Sequence, residues 1–248
     1  VGRRVRPVAG GAKNLAGFFE ALEDYRKHPG TMRLLLAVAL GSAAFSMQDI
    51  LLEPYGGEIL GMSVAQTTLL TGLWAAGTMS GFAWAAYSLN HGAHMYRVAA
   101  RGLLIGIASF SAIIFASPVG LDGLFFAGAA GVGLGGGLFA VCTMLAAMGI
   151  SKRADSGVLV GAWSAVQATA IGVSLLLGGV IKNAINTLAI SGVLGPAMTT
   201  SATGYLFVYH LEIGLLFVCL AVLGPLTSNR YRQTHEHNTK FGLAEMPG

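Results

Sequence analysis

The stretch Gly123–Ile150 (GLFFAGAAGVGLGGGLFAVCTMLAAMGI) contains no charged side chain. A bilayer core about 30 Å thick is crossed by roughly 20 residues of α-helix, and this stretch is longer than that. Five further apolar runs of comparable character flank it: Thr31–Met47, Thr67–Leu89, Val98–Ala116, Gly157–Ile181 and Tyr205–Leu226. The sequence therefore predicts an all-α integral membrane protein with six transmembrane helices.

Basic residues are distributed asymmetrically around these runs. If the connections alternate between two sides of a membrane, starting inside, all fifteen Lys and Arg residues except Lys182 fall inside. This is the positive-inside bias of helical membrane proteins. We therefore expect three regions, with both ends cytoplasmic: residues 1–30 as a cytoplasmic linker with an amphipathic helix, residues 31–228 as a six-helix transmembrane domain, and residues 229–248 as a cytoplasmic tail.

Composition supports the membrane assignment and excludes several functions. Charged residues make up 10% of the chain, against about 25% in typical soluble domains. The net charge of +4 is explained by cytoplasmic loops that face anionic lipid, so no nucleic-acid partner is predicted. Gly131–Gly136 fits the dinucleotide-binding pattern, but no strand precedes it. Because the sequence also has no nucleophile–base or metal-ligand constellation, we predict neither an enzyme nor a metal site.

Glycines recur at four-residue spacing inside two of the runs. The pairs are Gly131 with Gly135, Gly133 with Gly137, and Gly157 with Gly161. Small residues at this spacing let helix backbones approach closely in lipid, where van der Waals packing drives association. The fourth and fifth runs are therefore predicted to pack tightly on neighbouring helices.

Polar residues within the runs are few. Trp163 and Gln167 share one helical face of the fifth run, and Ser174 continues that face one heptad later. Such a stripe lines a central cavity in some membrane proteins and forms interhelical hydrogen bonds in others. Both interpretations remain open at this point.

The sixth run contains one acidic residue and one histidine. Glu212 lies well inside it, and we predict a structural ion pair with Lys182 at the outer end of the fifth run, over a proton-coupling or ligand role. His210 is either a ligand of a metal centre or, as the sequence favours, an interfacial histidine bonded to a loop carbonyl.

An acidic element, Gln48–Glu58 (QDILLEPYGGE), follows the first run. Pro54 is expected to end the first helix near Glu53, and Gly56-Gly57 to permit a sharp turn. Asp49 and Glu53 would then share a face at i, i+4. The element is either a solvated rim or a recognition or cation-ligating edge.

These residues resemble a known family. Gln48–Ser63 (QDILLEPYGGEILGMS) resembles the element after the seventh helix of the PucC/LhaA-type proteins, the bacteriochlorophyll-delivery branch of the major facilitator superfamily. Gly136–Val141 and Ala146–Met148 resemble that family's tenth helix. Gly157–Gln167, followed by Gly178-Gly179, resembles its eleventh. The resemblance extends from about Met32 to Leu226, whereas Asn90–Gly102 lacks the acidic residue usual in the facilitator loop motif.

The resemblance implies that the chain is the C-terminal six-helix half of a twelve-helix protein, with the N-terminal half as its partner. It also implies a role in the intracytoplasmic (inner) membrane of purple bacteria, in the assembly of light-harvesting antenna complexes. The implied ligand is bacteriochlorophyll, with a carotenoid less favoured, and the implied partners are antenna subunits. Candidate pigment-binding residues are those that offer axial ligands or aromatic and polar surface: Asp49, Glu53, Tyr55, Trp163, Gln167 and His210.

Two other functions compete with this one. A secondary transporter of a small solute is expected to place several charged or strongly polar residues around a midplane cavity, and this chain has few. The other alternative is a permanent accessory subunit of a photosynthetic complex.

Overall fold

The computed structural model describes residues 29–150 and 156–227, and within these ranges the chain is helical, with no β-strand. The α-helices are α1 Pro29–Ser46, α2 Leu52–Glu58, α3 Val64–Asn90, α4 Met95–Val119, α5 Asp122–Ile150, α6 Ser156–Ile190 and α7 Ala202–Leu223. Short 3₁₀ turns cover Met47–Ile50, Pro196–Met198 and Gly224–Thr227. The predicted amphipathic linker helix, the predicted tail from residue 229, and Lys152 and Arg153 of the inner loop lie outside the described residues.

Five segments of the described chain are long and apolar enough to cross a membrane. They are Gly30–Glu58, Met95–Val119, Asp122–Gly149, Gly157–Ile190 and Ala202–Thr227. The all-α membrane class is therefore confirmed. The predicted second span instead falls within α3, which is 27 residues long but whose Thr, Ser and Gly residues lower its hydropathy, so α3 is not one of the five.

Two helix boundaries show where local sequence decides the structure. Gly120 adopts a left-handed conformation (φ 67°) after α4, which glycine tolerates because it has no Cβ. It leaves only a tight turn before α5, as the sequence predicts. By contrast, α6 continues to Ile190, past the predicted end at Ile181, because residues 182–190 contain no proline or glycine that would end a helix.

Helix α5 lies between α3 and α4, and glycines form both contacts. A Cβ on Gly137 would come within 2.6 Å of the Thr78 carbonyl oxygen on α3, and a Cβ on Gly135 within 2.6 Å of the Gly102 carbonyl oxygen on α4. A Cβ on Gly133 would come closer still to the Trp74 carbonyl oxygen of α3, and one on Gly131 to the Ser109 hydroxyl of α4. The predicted close packing of the fourth run is therefore confirmed. It is wrong for Gly157, which has no atom within 4 Å of its Cβ position.

Helices α1, α6 and α7 form a second group of three, which packs on the first group through α1 against α5 and α4 against α7. Side chains, rather than backbones, make the closest contacts between the groups. The Phe45 ring lies against Gly106, and the Phe139 ring against Gly41. Together the two groups form one helical bundle with a continuous apolar core.

The segments predicted to be outer connections meet at one end of this bundle. Tyr55, from the first of them, packs against Phe125 near the start of α5 and against Tyr205 near the start of α7. Gly204 packs against the Lys182 carbonyl of α6. The alternation of helix directions assumed in the sequence analysis is thus consistent with the fold.

Candidate functional site

The α-helix is interrupted after α1, and this interruption positions the acidic element Gln48–Glu58. Helix α1 stops at Ser46, the 3₁₀ turn Met47–Ile50 follows, and α2 begins at Leu52. The prediction that Pro54 ends the first helix is therefore wrong. It lies in the first turn of α2, where its missing N–H leaves no intrahelical hydrogen bond unmade.

The turn predicted at Gly56-Gly57 is also displaced. Both glycines lie within α2, and the chain reverses at Gly61, whose φ is 67°. Asp49 and Glu53 consequently lie in different elements rather than on one helical face. Gln48 Nε2 donates to Asp49 Oδ1 at 2.5 Å, and the Thr71 hydroxyl of α3 donates to Glu53 Oε1. Each carboxylate therefore has its own hydrogen-bond donor.

Tyr55 is the centre of a buried aromatic cluster. Its ring is fully buried and lies 5.5 Å, between centroids, from each of Phe125, Tyr205 and Tyr209. Edge-to-face pairs at this spacing are favourable because ring edges and faces carry opposite partial charge. Tyr55 therefore anchors α2 to the bundle, and its ring does not offer the accessible aromatic surface that the sequence analysis predicted.

A second set of contacts joins α2, α6 and α7 at the same end of the bundle. The Tyr205 hydroxyl donates to Glu58 Oε2 at 2.7 Å. The Lys182 ammonium lies 4.4 Å from the centroid of the same Tyr205 ring, within the range of a cation–π interaction. Tyr205 thus links an acidic and a basic residue that do not bond each other directly.

The predicted ion pair between Glu212 and Lys182 is not formed. Both carboxyl oxygens of Glu212 are buried without a hydrogen-bond partner, whereas Lys182 is directed at Tyr205. The Gln48 backbone N–H approaches the Glu212 carboxyl without reaching hydrogen-bond geometry. An ionised carboxylate at the centre of a membrane helix costs about 2.5–3.5 kcal/mol on insertion scales, so this position is energetically unusual.

The structure divides the stripe on α6. Trp163 is buried, and its indole N–H donates to Thr143 Oγ1 of α5 at 3.3 Å. Ser174 is buried and donates to the Ile171 carbonyl at 2.9 Å. Gln167 differs, because it lines a cleft of about 150 Å³ between α1, α3, α5 and α6. Trp163 therefore makes an interhelical hydrogen bond, Gln167 lines a cleft, and Ser174 bonds only within its own helix.

The cleft is uncharged and small. Its walls carry aromatic rings, hydroxyls and the glycine face of α5: Ser42, Phe45, Trp74, Thr78, Phe82, Gly133, Gly137 and Gln167 are among the lining residues. A volume of about 150 Å³ is below the range of roughly 300–1,000 Å³ typical of ligand pockets. The cleft is therefore too small to enclose a tetrapyrrole.

His210 lies on the exposed face of α7, inside a segment apolar enough to span a membrane. Its Nδ1 is 2.7 Å from the Leu206 carbonyl oxygen. Because a carbonyl oxygen only accepts, Nδ1 donates in this contact, which leaves Nε2 as the ring nitrogen available to a ligand. The carbonyl belongs to the same helix, not to a loop as the sequence analysis suggested.

Tyr205 and Tyr209 of the aromatic cluster and Gln48 of the 3₁₀ turn were not singled out from the sequence. The spacing of Tyr205, Tyr209 and Glu212 at i, i+4 and i+7 was a usable signal, since it places three polar groups on one face of α7. Across residues 29–150 and 156–227, no group of three or more His, Cys, Asp or Glu residues is placed to hold a metal ion.

Comparisons with known proteins identify the family. The model of the PUCC protein family matches residues 4–231. An uncharacterized protein in the puhA-bchM intergenic region of Rhodobacter capsulatus is 48% identical over 93% of this chain and 49% of the relative. Protein PucC of the same species is 41% identical over 84% of this chain and 44% of the relative. The Bacteriochlorophyll synthase 44.5 kDa chain of Rhodobacter capsulatus is 28% identical over 64% of this chain and 38% of the relative.

The chain spans about half the length of these curated relatives. No solved structure matches it. Because the family model covers all of the described helices, the chain belongs to the PUCC protein family.

Proposed function

We propose that this chain is the C-terminal six-helix half of a non-enzymatic membrane assembly factor for bacterial light-harvesting antenna complexes. In this proposal the protein handles bacteriochlorophyll, antenna subunits or both, in the intracytoplasmic membrane and with both ends of the segment cytoplasmic. Family membership supports the role in antenna assembly, and the name of the relative called a bacteriochlorophyll synthase chain supports the link to the pigment. The N-terminal half of a facilitator-type fold accounts for the length that the relatives have in addition.

The observation that carries the pigment-handling part is the environment of His210. A bacteriochlorophyll presents a flat apolar macrocycle and a magnesium that takes an axial ligand. His210 supplies an Nε2 lone pair, and a histidine ligand typically donates its other ring N–H to a carbonyl, as His210 does to Leu206.

The surface around His210 also suits a flat ligand. Gly214 lies one turn further along the same face and has no atom within 4 Å of its Cβ position. Phe207 and Phe217, on either side, are about half exposed, at 49% and 55%. A macrocycle bound at His210 would therefore lie against α7 over a glycine gap, between two aromatic rings, with no charged side chain of α7 on this face.

The histidine is tested by His210→Leu in the full-length protein, produced in a phototrophic host that lacks its own copy. We expect a several-fold loss of bacteriochlorophyll on the protein purified in mild detergent, and a lower antenna absorbance in the membranes. His91→Leu is the matched control, because His91 makes the same Nδ1 contact, to the Tyr87 carbonyl at 2.8 Å, but lies at a helix end. Equal pigment in wild type and both variants would contradict the assignment and favour a permanent accessory subunit.

The six-span topology is part of the proposal and depends on α3. This helix carries no charged residue, and it buries a single stripe in which Gly77 and Gly81 lie against α5 and Leu70 lies against Gly56 of α2. Large apolar side chains on its other faces, Met79, Phe82 and Trp84 among them, are exposed. A helix that carries no charge and exposes large apolar side chains is typical of a membrane span.

Cysteine labelling tests this topology. Val64→Cys and His91→Cys place thiols at the two exposed ends of α3, and the native Cys142 and Cys219 are buried. If α3 spans the bilayer, a membrane-impermeant maleimide should label position 64 in intact spheroplasts and position 91 only after permeabilisation. Labelling of both positions from one side would refute the six-span proposal.

One observation favours a second candidate, the transport of a small solute. The cleft beside Gln167 contains hydroxyl, amide and indole-bearing residues but no charge, which suits a small uncharged molecule. Binding of such a solute by the purified protein, with loss of binding in Gln167→Leu, would favour this function over antenna assembly.

A further inference from the structure

The Glu212 carboxyl is the most unusual polar group of the described chain. It lies near the middle of α7, is 0% exposed, and has no hydrogen-bond partner for either oxygen. A second buried oxygen without a partner, Gln48 Oε1, belongs to the neighbouring 3₁₀ turn. Two buried polar side chains from different elements therefore both have unsatisfied oxygens, and buried polar groups are rarely left so.

The α-helix is interrupted next to these side chains. Gln48 lies where α1 gives way to the 3₁₀ turn, inside a segment apolar enough to span the membrane. In membrane proteins, interrupted helices recur where backbone and side-chain oxygens take up Na⁺ or H⁺. Here the interruption lies beside a carboxyl that has no other counter-charge.

The charged and titratable groups around Glu212 do not neutralise it. Asp49 of the 3₁₀ turn is itself acidic and acts on Glu212 with the same sign. Tyr209 on α7 and Tyr55 of α2 are weak acids. Lys182 of α6 is directed at the Tyr205 ring.

The remaining cations on helices packed against α7 lie towards the opposite end of the bundle. Arg33 is in the first turns of α1, and Arg97 and Arg101 are in the first turns of α4, whereas Phe110 is the α4 residue stacked on Tyr209. A positive charge for Glu212 must therefore come from outside the described chain.

We propose that Glu212 and Gln48 form a binding site for a single monovalent cation, either H⁺ or Na⁺. The two occupants share one chemistry, a single positive charge delivered to a carboxylate among oxygen ligands. Glu212 supplies two oxygens and Gln48 Oε1 a third, while the adjacent Tyr209 hydroxyl, also buried without a partner, supplies a fourth. A bound cation would contact both the 3₁₀ turn Met47–Ile50 and the middle of α7. Occupancy of the site therefore stabilises the contact between the turn and α7.

The experiment uses the full-length protein in detergent, with two readouts. Infrared spectroscopy in sodium-free buffer detects a protonated carboxylic acid by its C=O stretch, which is absent for a carboxylate. Thermal unfolding at increasing Na⁺, with K⁺ at equal ionic strength as the reference, detects specific sodium binding, because a ligand that binds the folded state raises the unfolding temperature in a saturable way.

If the occupant is a proton, we expect a carboxylic-acid band in wild type that disappears in Glu212→Gln. If it is Na⁺, we expect a saturable rise in unfolding temperature that K⁺ does not reproduce and that is lost in Glu212→Gln and in Gln48→Leu. Asp122→Asn is the control, since it removes an exposed carboxylate from the first turn of α5 and should retain either signal.

The proposal is overturned if the wild-type protein shows neither the carboxylic-acid band nor a sodium-specific shift. This test uses the wild-type protein alone and does not depend on whether a variant folds. A band or a shift that survives in Glu212→Gln also overturns it, because the charge would then be bound elsewhere.

Discussion

Gly77→Val is expected to abolish most of the folded protein. A Cβ at Gly77 would overlap the carbonyl oxygen of Ala130 on α5, and that atom belongs to the backbone. The overlap is relieved only if α3 and α5 separate, which also opens the contacts of Gly81 and Gly133 along the same interface. Over-packing of this kind costs about 1–3 kcal/mol where side chains can adjust, and more where they cannot.

The measurement is the monodisperse fraction of a fluorescent fusion on size exclusion, together with its unfolding temperature. Gly72→Val is a matched control, because Gly72 lies on the same helix with no atom within 4 Å of its Cβ position. Valine also has a slightly better helix propensity than glycine, so this control should equal wild type or exceed it. Equal losses in the two variants would show that the α3–α5 contact does not exist as described.

Tyr55→Ala is expected to give the second-largest loss of stability. The substitution removes a fully buried ring that contacts three others and attaches α2 to the bundle. Deletion of a buried aromatic ring typically costs about 3–5 kcal/mol. We therefore expect a markedly lower unfolding temperature in detergent.

Tyr87→Ala is the corresponding control. Tyr87 is 64% exposed on α3, and its aromatic neighbour there is His91 of the adjacent turn. Its removal should change the unfolding temperature little. If both tyrosine variants unfold at the wild-type temperature, the aromatic cluster contributes nothing to stability and α2 is held by other contacts.

The glycine pattern illustrates what the sequence predicts and what it leaves open. Four-residue spacing on α5 correctly indicated close approach, because in lipid small residues are selected where backbones meet. The same spacing at Gly157 was misleading, since a glycine next to empty space looks identical in the sequence. The partners Gly77 on α3 and Gly102 on α4 follow only from which helices are neighbours, and that is a property of the tertiary structure.

The candidate site shows the same division. The sequence shows which residues inside the predicted spans are polar and how far they lie from the span ends. Glu212 and His210 could therefore be recognised as positions that need an explanation. Pairing Glu212 with Lys182 was wrong because the predicted end of the fifth run was nine residues short of the end of α6 at Ile190. With the helix continued, Lys182 faces Tyr205, whose aromatic ring the sequence analysis did not consider as a partner for a cation.

The two kinds of helix contact also determine where the molecule can change shape. Where α5 meets α3 and α4, the closest atoms opposite Gly77, Gly81, Gly133, Gly135 and Gly137 belong to the backbone, which has no rotamer to change. At the junction with α1, the Phe45 and Phe139 rings fill the gaps opposite Gly106 and Gly41, and rings can swing without breaking a helix. In a conformational change of this protein, α3, α4 and α5 would therefore move together as one rigid unit. The hinge would lie at the contact with α1 that the Phe45 and Phe139 rings form.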